Sequence, residues 1–214
     1  MSEDQSQPRA SQKKPVLIIV MGVSGTGKTT LATALSKIYR LPYIEGDEMH
    51  PKANIDKMSN GIPLNDADRE PWLELIRTSA VKMVEDQRKE PQQIQNAKAV
   101  HGVIVTCSSL KRYYRDILRG TRKVANKTEE TEGEEAPDPD ELPTVFVFMK
   151  GERDDLWERM SNRKGHYMKA HMLDSQLETL ENPEGEEGVI TVSIEMSTEE
   201  QLEKVKKELT KMDL

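Results

Sequence analysis

The sequence predicts an α/β protein built on a five-stranded parallel sheet with helices on both faces. Three observations carry this prediction. Short apolar runs alternate with longer helix-forming stretches, which is the pattern of β-α-β units. Several of these runs are continuously apolar, as in strands that are buried on both faces of a parallel sheet. A glycine-rich loop, residues 22–29, joins the first apolar run to the first helical stretch.

Five segments are predicted to be strands, and three of them are almost continuously apolar or β-branched. They are residues 16–21, 42–44, 102–106, 144–149 and 189–194. A helix predicted from about Pro71 carries apolar side chains at three- and four-residue spacing, and proline is typical of a first helical turn. The last helix is predicted to follow Ser197-Thr198-Glu199-Glu200, which has the pattern of a capping box.

The negative charge of the chain is concentrated in one segment. The net charge is −7 over 214 residues, but residues 129–141 contain eight acids and no lysine or arginine. Removing these eight charges changes −7 to +1, so the charge of the folded body indicates no partner. We expect residues 124–143 to be a disordered acidic insertion and residues 1–14 a disordered tail. Residues 15–214 then form one domain.

The cysteine content and the lengths of the apolar runs argue against a secreted or membrane-spanning protein. Cys107 is the only cysteine, which argues against a secreted disulfide-stabilised domain. It ends a predicted buried strand, so we expect it to pack in the core and not to act as a nucleophile. No run approaches the ~20 apolar residues that cross a bilayer. Residues 1–14 lack a signal-peptide pattern, and the basic residues have no aromatic neighbours suited to nucleic acid. The sequence predicts a cytoplasmic protein.

The glycine-rich loop has the pattern G-x-x-x-x-G-K-T, which is typical of a loop that wraps nucleotide phosphates. Its glycines let backbone N–H groups turn inward, and the following helix adds its positive end. Lys28 is expected to reach the β- and γ-phosphates, and the Thr29 hydroxyl is expected to bind Mg²⁺. The residues predicted to bind ATP are Gly22, Val23, Ser24, Gly25, Thr26, Gly27, Lys28, Thr29 and Thr30.

Polar residues follow the short second strand, at the sheet edge where the phosphate loop also lies. Glu45 and Asp47 are two residues apart. In a kinase, one such acid can orient the water ligands of Mg²⁺ while the other takes a proton from the attacking hydroxyl. The segment therefore predicts an acceptor site beside the nucleotide.

This segment resembles the signature of the gluconokinase family of ATP-dependent small-molecule kinases. The matching residues are Gly46-Asp47, His50-Pro51, Asn54, Lys57-Met58, Gly61, Pro63-Leu64, Asp66, Asp68-Arg69 and Pro71-Trp72-Leu73. A second block is also similar to the family, with Ser109 where the family usually has alanine: Cys107-Ser108-Ser109-Leu110-Lys111, Tyr114-Arg115-Asp116 and Leu118-Arg119. With later matches such as Arg159, Arg163 and Ser175-Gln176, the resemblance covers residues 16–194.

The resemblance implies a P-loop kinase fold with a small helical lid at about residues 152–175. It implies ATP- and Mg²⁺-dependent phosphorylation of D-gluconate at its 6-hydroxyl, which supplies 6-phosphogluconate to the pentose phosphate pathway. Lys28, Asp47, Arg159 and Arg163 are then the catalytic residues, with Asp47 as the general base. The two arginines lie four apart on a predicted helix and would neutralise the transferring phosphoryl group. Homodimers also occur in the family.

Gluconate is an open-chain polyol with one carboxylate, so its site requires a cation and several hydrogen-bonding groups. Arg69 is expected to hold the carboxylate bidentately, and Lys57 to assist it. The other predicted substrate contacts are Asp47, His50, Asn54, Lys111, Arg115 and His166. Two alternatives stay open from the sequence. One is a kinase for another small alcohol, such as shikimate or a nucleoside, and the other is a nucleotide-dependent switch that phosphorylates no metabolite.

Overall fold

The computed structural model describes residues 14–89, 101–124, 142–161 and 167–213. Its five strands form one parallel sheet in the order β2-β3-β1-β4-β5. They are β1 (Val16–Met21), β2 (Tyr43–Glu45), β3 (Gly102–Thr106), β4 (Thr144–Lys150) and β5 (Val189–Ser193). These bounds lie within one residue of the predicted strands, and the predicted fold class is confirmed.

Within the described residues, seven α-helices and one 3₁₀ turn accompany the strands. They are α1 (Lys28–Tyr39), the 3₁₀ turn (Gly46–Met49), α2 (Lys52–Ser59), α3 (Asp66–Lys89), α4 (Arg112–Arg119), α5 (Arg153–Ser161), α6 (Tyr167–Thr179) and α7 (Thr198–Lys211). The predicted capping box is present at α7, where Ser197 and Glu200 each accept the other's backbone N–H. None of the described helices is long and apolar enough to cross a membrane.

Two apolar clusters cover the two faces of the sheet. All six residues of β1, the central strand, are buried, because successive side chains point to opposite faces and each face is covered. One cluster joins Val16, Ile18 and Val20 to apolar residues of α1 and α7. The other joins Leu17, Ile19 and Met21 to apolar residues of α3 and α4. The sheet is therefore the middle layer of three, as predicted.

Helix α3 begins five residues before its predicted start at Pro71. Asn65 Oδ1 accepts the N–H of Asp68 at 2.9 Å, and Asp68 Oδ2 accepts the N–H of Asn65 at 3.0 Å. This reciprocal cap satisfies N–H groups that a helix start leaves without partners. The start at Pro71 was therefore a wrong prediction, because the cap fixes the first turn at Asp66 and leaves the proline inside the helix.

Three loops meet at the carboxyl edge of the sheet. Thr106 is the register partner of both Val20 and Glu45, so β1, β2 and β3 end side by side. The phosphate loop follows β1, the 3₁₀ turn follows β2, and the residues leading to α4 follow β3. Parallel strands thus bring together polar groups that are distant in the sequence.

Parts of three predicted segments lie outside the described residues. These are the tail at residues 1–14, the acidic insertion at 124–143 and the lid at about 152–175. On either side of the undescribed part of the insertion, Val124 and Leu142 are buried in the core. In the lid region, α5 and α6 are described and residues 162–166 are not.

Candidate active site

The phosphate loop leaves β1 at the carboxyl edge of the sheet and enters α1. Gly22 has a φ of +140°, and a Cβ atom at this position would lie 2.9 Å from the carbonyl oxygen of Met149. Glycine is therefore required where the loop leaves the strand. No side chain caps the N-terminus of α1, and its first turn contains no acid. The N–H groups at this helix end are thus suited to an anion.

Lys28 lies inside the phosphate loop. Its Nζ donates hydrogen bonds to the carbonyl oxygens of Gly22 at 3.1 Å and Val23 at 3.0 Å. Thr26, which is buried, donates its hydroxyl to the carbonyl oxygen of Val23 at 2.9 Å. These bonds close the loop around the ammonium group. The ammonium is consequently held inside the loop, where the sequence motif predicts a phosphate.

Glu45 lies beside the predicted metal-binding hydroxyl. Thr29 donates its hydroxyl to Glu45 Oε2 at 2.9 Å, and the hydroxyls of Tyr43 and Thr106 also donate to this carboxylate. Burial alone would raise the pKa of Glu45, but these three hydrogen bonds and the charge of Lys28 lower it. The carboxylate is therefore ionised beside Thr29. A hydroxyl and a carboxylate are oxygen donors of the kind that Mg²⁺ prefers, so these residues fit that ion.

Asp47 is exposed in the 3₁₀ turn, whose start is fixed on both sides. Trp72 Nε1 donates to the carbonyl oxygen of Gly46 at 2.8 Å, and the N–H of Gly46 donates to Thr106 Oγ1 at 3.3 Å. Asp47 and Lys28 both act electrostatically on the thiol of Cys107, just after β3. Asp47 and Lys28 therefore both lie within electrostatic range of Cys107 at this edge of the sheet, and the role of Asp47 as the base stays a prediction.

Cys107 itself is buried, as predicted. Burial is the main cause that raises the pKa of its thiol to about 11. A thiol in this state carries almost no thiolate at neutral pH and is a poor nucleophile.

His50 is held as a neutral ring. It is 8 % exposed and stacks on Trp72, with ring centroids 3.9 Å apart and planes inclined by 19°. Burial, followed by the charge of Arg69, lowers the pKa of His50 to about 4. Asn54 Nδ2 lies 3.3 Å from His50 Nδ1 and also donates to the carbonyl oxygen of Asp68 at 2.7 Å. With Nδ1 as acceptor, the ring proton is on Nε2, which is suited to a substrate hydroxyl.

The two lysines predicted to bind substrate each have an acid partner. Lys57 Nζ lies 2.5 Å from Asp68 Oδ1, and Lys111 Nζ lies 2.7 Å from Asp66 Oδ1. The hydroxyl of Tyr114 also donates to Asp66. These pairs connect α2 and the start of α4 to the first turn of α3. Both lysines therefore join neighbouring elements to α3, and their contacts with substrate stay a prediction.

Arg69 has a different environment from these lysines. Among the described residues, its guanidinium has no hydrogen-bond or ion-pair partner, and it lies 5.9 Å from the ring centroid of Tyr114. Its positive charge lowers the pKa values of His50, Asp66 and Asp68, in each case as a contribution smaller than the main cause. Arg69 is therefore the cation of this cluster best able to accept a carboxylate from a ligand.

Arg115 is not at the acceptor site, and its predicted substrate contact is corrected. The side chain is fully buried, and its guanidinium donates to Glu186 Oε1 at 2.5 Å and Oε2 at 3.0 Å. Its remaining donors bond the carbonyl oxygens of Ser109, Leu110 and Glu181 at 2.9 to 3.1 Å. With its donors engaged inside the protein, Arg115 holds the α6–β5 connection against the start of α4.

Removing the acid of this buried pair should strongly destabilise the fold. We expect Glu186→Gln to lower the free energy of unfolding by about 3–5 kcal/mol, because Arg115 would then be a buried charge without its counter-ion. Burial alone would raise the pKa of Glu186, but Arg115 and Arg119 lower it. The stability from this pair is therefore present above the ordinary glutamate pKa and is lost as the pH falls through the lowered value.

Urea denaturation at neutral and acidic pH measures both effects. The neighbouring Glu187→Gln is the matched control, because Glu187 is exposed. Equal stabilities for the two variants would show that the ion pair contributes nothing.

The predicted lid residues are only partly described. Arg159 is exposed on α5, and its Nη2 donates to the carbonyl oxygen of Ile194, just after β5, at 2.6 Å. Arg163 and His166 lie outside the described residues. The roles of all three remain predictions.

Two site residues were missing from the predicted site. Glu45 was considered for the metal but not chosen, and its bond to Thr29 now identifies it as the acid on that side. Gln176 was noted only within the family resemblance, and its Oε1 accepts the N–H of Ser24 in the phosphate loop at 2.7 Å. Sequence spacing contains no signal for the second contact, which joins residues 152 positions apart.

The chain is similar in sequence to known gluconokinases. No family model matches the chain. It is 42 % identical over 192 residues to the gluconokinase of Gluconobacter oxydans, covering 90 % of each protein. It is 35 % identical to the thermoresistant gluconokinase of Escherichia coli, covering 86 % of this chain and 87 % of that one.

Solved structures agree with these relatives. The structure of a gluconokinase from Sinorhizobium meliloti superposes with a TM-score of 0.67 at 37 % identity, covering 94 % of each chain. An APS kinase from Mycobacterium tuberculosis has a TM-score of 0.59 at 19 % identity and supports the fold alone.

Proposed function

Since this chain belongs to the gluconokinase family, we propose that it transfers the γ-phosphoryl group of ATP to the 6-hydroxyl of D-gluconate. The products are 6-phospho-D-gluconate and ADP. The proposal rests on three polar groups in the segment that follows β2 at the carboxyl edge of the sheet, namely the exposed Asp47, the neutral His50 and Arg69. The charge of Arg69 acts on His50, and its guanidinium has no hydrogen-bond or ion-pair partner among the described residues.

The nucleotide side of the reaction uses the loop and Lys28. The loop N–H groups and the N-terminus of α1 bind the β- and γ-phosphates, and Lys28 exchanges its bonds to Gly22 and Val23 for phosphate oxygens. Thr29, with Glu45 beside it, would hold Mg²⁺. When bound, this ion neutralises charge that develops on the phosphate oxygens. The protein itself supplies position and electrostatic stabilisation.

The acceptor side binds gluconate by its carboxylate and hydroxyls. Arg69 pairs with the carboxylate, and His50 donates from Nε2 to a hydroxyl of the polyol. Asp47 accepts the proton of the 6-hydroxyl as O6 bonds to the γ-phosphorus and the bond from that phosphorus to the bridging oxygen breaks. The proton ends on Asp47, and the electron pair leaves with ADP. Arg159 and Arg163 complete the site when the lid closes over ATP.

The wider setting follows from the same family membership. We expect a cytoplasmic enzyme whose product enters the pentose phosphate pathway, and a homodimer is the assembly proposed for it.

Arg69→Ala should raise the KM for gluconate by about 10- to 150-fold and leave the KM for ATP unchanged, because a charge-assisted carboxylate pair contributes about 1.5–3 kcal/mol. The effect should be much smaller with glucitol, which has the hydroxyls of gluconate but no carboxylate. Steady-state kinetics with coupled ADP detection measure both constants.

Arg88→Ala is the matched control for this variant, since Arg88 is an exposed arginine in the last turn of the same helix. It should leave both KM values unchanged. If Arg69→Ala weakens only ATP binding, or weakens gluconate and glucitol equally, Arg69 does not bind the carboxylate.

A further inference from the structure

One hydrogen bond connects the phosphate loop to helix α6. The N–H of Ser24, near the tip of the loop, donates to Gln176 Oε1 at 2.7 Å. Gln176 is half-buried, and its amide nitrogen has no hydrogen-bond partner among the described residues. The loop tip is therefore held by a side chain that none of the proposed steps has used.

Helix α5 supports the same part of the loop. Gly25, next to Ser24, has a φ of +85°, and a Cβ atom there would lie 2.8 Å from Met160 Cγ and 3.7 Å from the carbonyl oxygen of Leu156. The backbone of the loop thus packs directly against α5, at a distance that only glycine permits. Arg153 joins α5 to α6 through two bonds to Asp174, at 2.7 and 3.1 Å. Helices α5 and α6 are thus joined to each other, and both contact the tip of the phosphate loop.

The chain that follows α6 is fixed to the acceptor side of the molecule. Glu181 accepts the N–H of Arg112 at the start of α4 through its carboxylate, at 2.6 Å, and the guanidinium of Arg115 through its carbonyl oxygen, at 3.1 Å. Next to Arg112, Lys111 pairs with Asp66 in the first turn of α3. Helix α6 and the residues after it therefore run from the loop that holds the nucleotide to the helices that surround the acceptor.

We propose that Gln176 is a positioning residue for phosphoryl transfer, which sets the Ser24–Gly25 backbone relative to the acceptor site through its bond to the Ser24 N–H. This inference rests on the proposed function. Phosphoryl transfer depends on alignment of the donor phosphorus and the attacking oxygen, and displacements of about 1 Å can reduce rates by up to about 100-fold. Gln176 acts through the loop and not by contact with the reacting atoms.

Two substitutions at Gln176 distinguish the effect of its acceptor oxygen from the effect of its side-chain size. Gln176→Met keeps an unbranched side chain of similar length and removes the acceptor, so kcat should fall about tenfold with the KM for gluconate unchanged. Gln176→Glu keeps an acceptor oxygen and should retain kcat. Its negative charge near the phosphates should raise the KM for ATP, by a factor that shrinks as salt is added.

The exposed Glu178 of the same helix provides the control. Glu178→Met should leave kcat and both KM values unchanged. Thermal melting of all three variants shows whether stability changes. If Gln176 only stabilises the fold, its substitutions should lower the melting temperature. They should then not show a loss of kcat in Gln176→Met together with a retained kcat and a higher KM for ATP in Gln176→Glu.

A double-mutant cycle tests the bond itself. Ser24→Pro removes the N–H donor, so Gln176→Met should lower kcat no further in that background. If the two substitutions reduce kcat independently, so that their effects multiply, the proposal is overturned. An unchanged kcat in Gln176→Met would also overturn it, and so would a kcat loss in Gln176→Glu as large as that in Gln176→Met. Turnover of gluconate by the wild-type protein decides the proposed function separately. If another alcohol is the acceptor, the kcat values of the Gln176 variants relative to wild type, measured with that alcohol, test the role of Gln176.

Discussion

Lys28→Ala is expected to remove almost all turnover while leaving the fold intact. The Nζ of Lys28 lies within the phosphate loop, bonded to two loop carbonyl oxygens that a phosphate would replace. Its charge stabilises the negative charge that moves onto the bridging oxygen as the phosphoryl group transfers. Loss of a group that acts mainly in the transition state reduces kcat by about 1,000-fold. Coupled detection of ADP measures this loss.

Lys37→Ala is the matched control, because Lys37 is an exposed lysine near the other end of the same helix. It should have wild-type kinetics. Circular dichroism of both variants checks that α1 persists. If Lys28→Ala retains most of the wild-type kcat at saturating ATP, the loop does not bind the transferring phosphate as described.

Asp47→Asn is expected to reduce kcat by about 100- to 10,000-fold, the range for loss of a general base. The amide cannot accept the proton of the 6-hydroxyl, but its size and position match those of the carboxylate. Trp72 and Thr106 fix the start of the 3₁₀ turn through the backbone of Gly46, so the loop should keep its shape. The dissociation constant for ATP, measured by calorimetry, should therefore stay unchanged.

Glu48→Gln is the control for this prediction, since Glu48 is the next residue of the same turn and is also exposed. It should retain wild-type kcat. An Asp47→Asn protein with an unchanged kcat would remove Asp47 from the mechanism, and a parallel loss in Glu48→Gln would point to a disturbed turn.

The sheet was predictable because its strands are buried on both faces. β1 and β3 are continuous apolar runs, so their bounds follow from composition alone. The start of α3 was not predictable in the same way, because the sequence contains two features within six residues that favour different first turns. A proline at position 71 favours a first turn, but the cap formed by Asn65 and Asp68 determined the start.

Candidate site residues could be predicted from the sequence where they lie within one short segment. The phosphate loop and the stretch from Asp47 to Arg69 are each continuous in sequence, so the loop motif predicted the first and the family resemblance the second. Arg115 was not predictable, because its partner Glu186 lies 71 residues away and an arginine near the sheet edge gives no sign of burial. Lys57 and Lys111 were predicted as ligand cations without their acid partners, Asp68 and Asp66, and their contacts with substrate stay a prediction.

Identification of the phosphorylated product shows whether gluconate is the acceptor. The full-length protein is incubated with ATP, Mg²⁺ and either gluconate, glucitol, shikimate or a nucleoside, and the products are followed by ³¹P NMR. We expect one ADP per gluconate consumed, with phosphate on O6 and little turnover of the other alcohols. ADP release that is independent of gluconate, or faster phosphorylation of another alcohol, would contradict the proposed function.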